Sequence, residues 1–171
     1  MKKYIKNIVP VAALLLTMGT TTSCVGDLDV TPINPIIQTN LNIDVLFNKC
    51  YANFAMAGNG GANGDCDIDG IDGGTSGFVR QTFNANELTT DEAICGWGDD
   101  GIAGFCYNSY NATNPMLTGL YARITTGIAY CNQYLAEAGD QDATKLAEVR
   151  FLRAYEYYSL MDAWGNIPFT L

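Results

Sequence analysis

Residues 114–164, NPMLTGLYARITTGIAYCNQYLAEAGDQDATKLAEVRFLRAYEYYSLMDAW, decide the fold of this chain. Asn114 followed by Pro115 is a typical N-cap and first helical residue. Apolar side chains then recur at steps of four and three until a glycine, after which Asp140 or Asp142 can cap a second helix that is apolar nearly all round. Two long helices joined by a tight turn are the unit of tetratricopeptide-like arrays, so the stretch predicts a mainly α protein built on helix pairs.

One further helix and a long loop-rich segment precede this pair. Apolar residues at helical spacing from Ile43 onward predict a helix that Gly58 ends. Residues 58–114 are rich in Gly, Asp and Asn, and we expect a loop-rich lobe there that is irregular also over the alternating residues 78–88. Within it, residues 89–92 (TTDE) match a capping box, which predicts that a short helix starts at this point.

The first 24 residues have the pattern of a bacterial lipoprotein export signal. Three lysines precede an apolar run that is too short to span a bilayer, and small residues lead to Cys24, the expected lipidation site. An uncleaved membrane helix is the alternative, but Pro10 interrupts the apolar run. Asp27 and Asp29 resemble the signal that sends such lipoproteins to the outer face of the cell, although a solvated leader would have the same composition.

Charge narrows the range of partners. The chain carries a net charge of −9, and removal of residues 1–24 takes away lysines only, which makes the mature chain more acidic still. The chain is therefore not expected to bind nucleic acid, because phosphate binding needs clustered Lys and Arg. The chain stops in the apolar stretch 164–171, which predicts that residues 25–171 are the front part of a longer protein.

The six cysteines do not imply a complete disulfide framework, because lipidation of Cys24 leaves an odd number. Cys50 and Cys131 fall on apolar helical stripes and are expected in the core. The remaining three lie in loop-like sequence, where any two could form a disulfide outside the cytoplasm. These three are Cys66, Cys95 and Cys106. A zinc site is not expected, since the chain has no histidine.

The segment DCDIDG at residues 65–70 matches the first half of an EF-hand calcium loop. Its candidate ligands are Asp65, Asp67, Asp69 and Asp72. The twelfth position, where such loops carry a bidentate Glu, is Ser76. Calcium is therefore one possibility, and a solvated acidic turn is the other.

Exposed aromatics and planar donors are the parts of a sugar-binding site, because aromatic faces stack on sugar rings and Arg or amide groups donate to hydroxyls. The candidate glycan-binding residues are Trp97, Arg80, Asn108, Tyr107 and Tyr110. Each also has a structural alternative, such as an Arg–Asp pair or an aromatic that seals the helix pair. No catalytic residues are predicted, since nucleophilic sets that need histidine are excluded and the adjacent acids of residues 91–92 do not face each other across a sugar.

Four segments resemble the SusD/RagB family of Bacteroidetes outer-membrane lipoproteins. They are DLDVTP at 27–32, NANELTTDE at 84–92, RFLRAY at 150–155 and WGNIP at 164–168. Segments 67–73 and 76–80 look most like the starch-binding members of that family. Cys95 departs from them, since those members look to carry an aromatic at this position.

The resemblance implies a non-enzymatic, outward-facing lipoprotein of the outer membrane that captures oligosaccharide, with starch or maltooligosaccharide as the first expectation. It also implies a SusC-type TonB-dependent transporter as the partner that receives the sugar. In the starch-binding members aromatics cradle the glucan while an Arg and an Asn donate to its hydroxyls, and Arg80 and Trp97 align with that neighbourhood. A calcium-stabilised adhesin or structural lipoprotein is the alternative, and an extracellular glycosidase is a third.

Overall fold

The computed structural model describes residues 41–58, 66–140 and 142–169. The chain divides into two units between Leu41 and Asn42, and every helix described below belongs to the second unit. The expected export signal, with its lipidation site Cys24, lies outside the described residues. Of the helices that are described, none combines the length and the apolar composition needed to cross a membrane.

The described residues are mainly helical, which confirms the predicted fold class. The five helices are α1 (Ile43–Ala55), α2 (Phe78–Glu87), α3 (Ile102–Cys106), α4 (Pro115–Glu137) and α5 (Ala143–Trp164). Helices α4 and α5 form the predicted hairpin, α1 packs against both, and α2 packs against α4 and α1. The short helix α3 packs against α2.

The two long helices begin where the sequence predicts. Oδ1 of Asn114 accepts the amide of Met116 at 2.9 Å, and Pro115 is the first residue of α4. Asp142 caps α5, because its Oδ1 accepts the amides of Thr144 and Lys145. Gly139 follows α4 with a positive φ of 57°, a conformation that glycine adopts without steric cost.

In the part of the chain that the structure describes, the core consists of three clusters along the helices. One lies between α1, α4 and α5 and contains Cys50 and Cys131, the two cysteines that the sequence places in the core. A second joins Phe78 of α2 to α4 and α5, and a third gathers Leu88, Ile102, Phe105 and Met116 beneath the loop before α3. The hydrogen bond with Cys50, together with burial, raises the pKa of the Cys131 thiol, so Cys131 stays protonated.

Three local expectations are wrong. Residues 78–88 are not irregular, because Phe78–Glu87 is a helix whose buried face includes the polar residues Gln81 and Asn84. Residues 89–92 do not start a helix, since the hydroxyl of Thr89 donates back to the carbonyl of Ala85 and finishes α2. Helix α1 ends before Gly58, which instead forms an isolated antiparallel bridge with Cys66.

Helix α5 is packed on one side and open on the other. Its buried residues face α1 and α4, whereas Phe151, Tyr155, Tyr158 and Met161 are exposed. The sequence predicts that this helix is apolar nearly all round, and these exposed residues form part of that apolar surface. The described structure therefore places α5 against neighbours on one side only.

Candidate functional site

The first turn of α2 aims Arg80 at the loop that follows residue 94. The guanidinium carbon of Arg80 lies 5.3 Å from the centre of the Trp97 ring, within cation–π distance. Nη2 of Arg80 pairs with the carboxylate of Asp99, and Nη1 donates to the carbonyl of Gly74 at 2.5 Å. Arg80 therefore links three segments: the acidic loop (residues 66–77), the start of α2, and the loop that carries Trp97 (the Trp97 loop, residues 95–101).

The Trp97 loop is held at both ends by contacts that do not involve Trp97 itself. At its start the amide of Cys95 donates to Sγ of Cys106 at 3.4 Å. At its end Nδ2 of Asn114 donates to the carbonyl of Gly101 at 2.8 Å. Gly101 has a φ of 88°, where an L side chain is strained, so the sharp turn into α3 requires glycine.

Trp97 lies at the rim of a surface depression of about 630 Å³. The indole is 69% exposed, and Ile94, Val79 and Phe83 are also exposed around it. Arg80 supplies the charged group of this lining, which is otherwise apolar except for Asn84. The depression is within the size range of small-molecule sites, which is ~300–1,000 Å³.

The other predicted glycan-binding residues do not line this depression. Nδ2 of Asn108 donates to the carbonyl of Thr89 at 3.1 Å, and the residue has a φ of 49°, so Asn108 fixes a turn. Tyr107 is exposed. The ring of Tyr110 packs edge-on against Phe105 at 5.4 Å and lines a different cavity of about 610 Å³ beside α5. The structure thus brings Arg80 and Trp97 together and separates them from the rest.

The acidic loop is tied to the protein by its own carboxylates. Asp67 forms an ion pair with Arg123 at 2.7 Å, and Oδ1 of Asp72 accepts the amide of Thr75 at 2.9 Å. Asp65 lies outside the described residues. Within the described ranges, no three His, Cys, Asp or Glu side chains are grouped to hold a metal ion. Calcium binding at Asp65, Asp67, Asp69 and Asp72 stays a prediction.

Arg123 of α4 is fully buried and holds this loop, a role that the sequence reasoning missed. Its Nη1 donates to Oδ2 of Asp67 at 2.8 Å, and its Nε donates to the carbonyl of Ser76 at 3.1 Å. Nη2 lies 3.3 Å from the carbonyl of Ala57, on the other side of the loop. Burial alone would raise the pKa of the Asp67 carboxyl, but the hydrogen bond and charge of Arg123 hold it below its ordinary value.

A second buried ionisable residue, Glu156 of α5, lies in the same buried layer as Arg123. Nδ2 of Asn53 donates to its Oε1 at 2.8 Å and also to the carbonyl of Arg123 at 3.1 Å. Burial raises the pKa of Glu156 to about 8, against the opposing effect of the Asn53 hydrogen bond. The only sequence signal for this layer is Gly119 and Gly127 at four-residue steps on either side of Arg123, since a glycine inside a helix often marks close packing.

These features define a helical protein with an aromatic and arginine surface site beside an apolar depression. No protein-family model matches the chain. The chain is 37% identical, over 98% of its length, to the starch-binding protein SusD of Bacteroides thetaiotaomicron. It is therefore SusD-like, and it spans about a third (31%) of the length of that curated relative.

Proposed function

We propose that this chain belongs to a cell-surface glycan-binding lipoprotein that captures starch or maltooligosaccharide without cleaving it. The single observation that carries the proposal is the exposed indole of Trp97, held beside Arg80 at the rim of the depression. The SusD similarity supports the ligand class, because the relative is named for binding starch rather than for a reaction.

The geometry suits a flat, hydroxyl-rich ligand. A sugar ring presents apolar C–H groups on its face, and an exposed indole offers a rigid stacking surface at small cost in conformational entropy. A guanidinium has five N–H donors. In Arg80, Nη2 donates to Asp99 and Nη1 donates to the carbonyl of Gly74, so further N–H donors are left for a ligand. We infer that a glucan stacks on Trp97 while Arg80 donates to its hydroxyls.

The proposal also covers the cellular location of the protein and its partner. The export pattern of residues 1–24 supports lipidation at Cys24 and an outer-membrane location. The family resemblance supports transfer of the bound oligosaccharide to a SusC-type TonB-dependent transporter. The 31% coverage of the relative supports the proposal that residues 25–171 are the N-terminal part of a SusD-like domain, with 58–114 as its glycan-binding lobe and 115–164 as a helix pair.

Affinity electrophoresis of the complete protein through gels that contain amylopectin, pullulan, dextran, inulin or xylan tests the ligand. We expect retardation in amylopectin and pullulan, and we expect Trp97→Ala to weaken it at least about tenfold, equivalent to about 1.4 kcal/mol. Phe151→Ala is the matched control, because Phe151 is as exposed as Trp97 (70% against 69%) and does not line the depression.

Two results would contradict the proposal. If none of the five polysaccharides retards the wild-type protein, the glycan function is wrong. If Trp97→Ala and Phe151→Ala migrate alike, a glycan binds but Trp97 is not part of the site. Labelling of cells with an alkyne-tagged fatty acid tests the anchor, and a label that persists in Cys24→Ser would rule that lipidation site out.

A further inference from the structure

We propose that Cys95 and Cys106 form a disulfide that closes the loop carrying Trp97. The amide nitrogen of Cys95 lies 3.4 Å from Sγ of Cys106. Because the Cys95 side chain leaves the Cα next to that amide, this contact brings the two thiols within reach of each other. Both are free in the structure, and both pack against the same apolar cluster of Leu88, Ile102, Phe105 and Met116.

The surroundings of the other described cysteines favour this pair. Cys50 and Cys131 have no exposed surface, so an oxidant cannot reach their sulfurs in the folded protein. Cys66 contacts the Ser76 hydroxyl and the guanidinium of Arg123, so it lies beside the buried Arg123 and not against the cluster that Cys95 and Cys106 share. Cys95 and Cys106 are both partly exposed and thus combine proximity with access.

The chemistry is thiol–disulfide exchange with an oxidised dithiol carrier or a small-molecule disulfide as the oxidant. The thiolate of one cysteine attacks a sulfur of that disulfide, which releases one carrier thiolate and leaves a mixed disulfide. The thiolate of the other cysteine then displaces the second carrier thiolate. Two protons and two electrons pass from the pair to the oxidant, which leaves as a dithiol if it is a carrier and as two separate thiols if it is a small-molecule disulfide. This step needs a compartment outside the cytoplasm, and in that respect the inference rests on the proposed export.

A bond at this position would act on the candidate sugar site directly. Trp97 lies two residues after Cys95, and Cys106 is the last residue of α3, so the disulfide would fasten the start of the loop to a helix end. The far end is already fixed by the hydrogen bond from Asn114 to Gly101. A ring that is rigid before binding loses less conformational freedom when a ligand stacks on it.

Peptide mapping tests the bond itself and needs no ligand. Trypsin cuts after Arg80 and Arg123 and at no site between them, and the resulting peptide 81–123 contains Cys95 and Cys106 as its only cysteines. Protein equilibrated with oxidised glutathione and then alkylated under denaturing conditions should yield this peptide without alkyl groups and two hydrogens lighter than the reduced peptide. Further cleavage at Asp99 and Asp100 should leave two fragments joined until reductant is added.

The controls separate the possible pairings. Cys66→Ser should leave the 81–123 disulfide intact, whereas Cys95→Ser should make Cys106 fully alkylated. Full alkylation of both cysteines after oxidation would overturn the proposal, as would a cross-link from Cys66 to either of them.

Sugar affinity before and after reduction tests the consequence for the loop. We expect reduction of the wild type to weaken amylopectin retardation about 2- to 10-fold, in line with the release of one or two ordered side chains. The variant with Cys95→Ser and Cys106→Ser should bind at the reduced level and not respond to reductant. An affinity that reduction leaves unchanged would overturn the effect on the loop. A disulfide in a protein that binds no glycan would instead disprove the proposed function and leave the bond standing.

Discussion

Substitution of Gly127 in α4 by alanine has two opposing effects on stability, one from helix propensity and one from packing. Alanine inside a helix is more favourable than glycine by about 1 kcal/mol, so Gly127→Ala should stabilise an open helix. In this structure a Cβ at position 127 would overlap Oε1 of Glu156 and Nδ2 of Asn53, and it would lie 2.5 Å from Cδ of Glu156. Since Glu156 and Asn53 are both buried, neither has solvent to move into.

We expect the cost of the steric overlap to exceed the gain in helix propensity. Forcing extra volume into a packed interior costs about 1–3 kcal/mol. Separation of Asn53 from Glu156 would break a buried 2.8 Å hydrogen bond, at about 1–3 kcal/mol more. After the helix-propensity gain is subtracted, we expect Gly127→Ala to lower the free energy of unfolding by about 1–5 kcal/mol.

Urea unfolding followed by circular dichroism measures this change, and Gly119→Ala is the matched control on the same helix. A Cβ at position 119 would meet the Cβ of Ser76 at 3.4 Å, an ordinary contact, so that variant should be neutral or gain up to about 1 kcal/mol. Glu156→Ala should relieve most of the Gly127→Ala penalty in a double-mutant cycle. Equal stability of the two glycine variants, or a penalty that Glu156→Ala leaves unchanged, would refute the packing argument.

Two further predictions concern the same buried layer. Arg123→Met should cost about 2–5 kcal/mol in urea unfolding, because it removes the ion pair with Asp67 and leaves the carbonyls of Ser76 and Ala57 without their donor. Arg150→Met, at an exposed position of α5, should change stability by less than about 0.5 kcal/mol. Similar losses for both variants would show that Arg123 does not hold the loop. Because the folded pKa of Glu156 is raised from 4.5 to about 8, its contribution is full below pH 4.5 and is lost as pH rises through about 8. Wild-type stability should therefore fall relative to Glu156→Gln between those values, by up to about 1.4 kcal/mol per pH unit, and a constant difference between the two proteins from pH 5 to 9 would refute the buried neutral carboxyl.

Helices that carry local start signals and apolar faces could be predicted from sequence. Asn114 with Pro115 and Asp142 mark the starts of α4 and α5, and both caps form the expected hydrogen bonds. Helix α2 could not be recognised in this way, because Gln81 and Asn84 occupy its buried face. Gln81 donates to Sδ of Met116 at 2.8 Å, so a polar residue fills a core position that a hydrophobicity pattern assigns to the surface.

Part of the candidate site could also be predicted from the sequence. Trp97 among glycines has little local structure to bury it, and the indole is indeed exposed. The ion pair of the buried Arg123 with Asp67 could not be found, because a charged residue on a helix is expected in solvent and the two partners are 56 residues apart in sequence. Tyr110 and Asn108 looked equivalent to Trp97 in sequence, yet chain direction after α3 takes them to other surfaces.

The exposure of Trp97 also gives the protein an optical signal of its own. The chain has two tryptophans, and the other, Trp164, is half-buried with its ring edge-on to Tyr121 at 5.3 Å. An indole in water emits at longer wavelength than one that is shielded, so Trp97 dominates the red side of the emission while Trp164 contributes a steady background. A molecule that settles on the Trp97 face removes water from it and shifts the emission to the blue. Occupancy of the depression can therefore be followed by fluorescence on unlabelled protein.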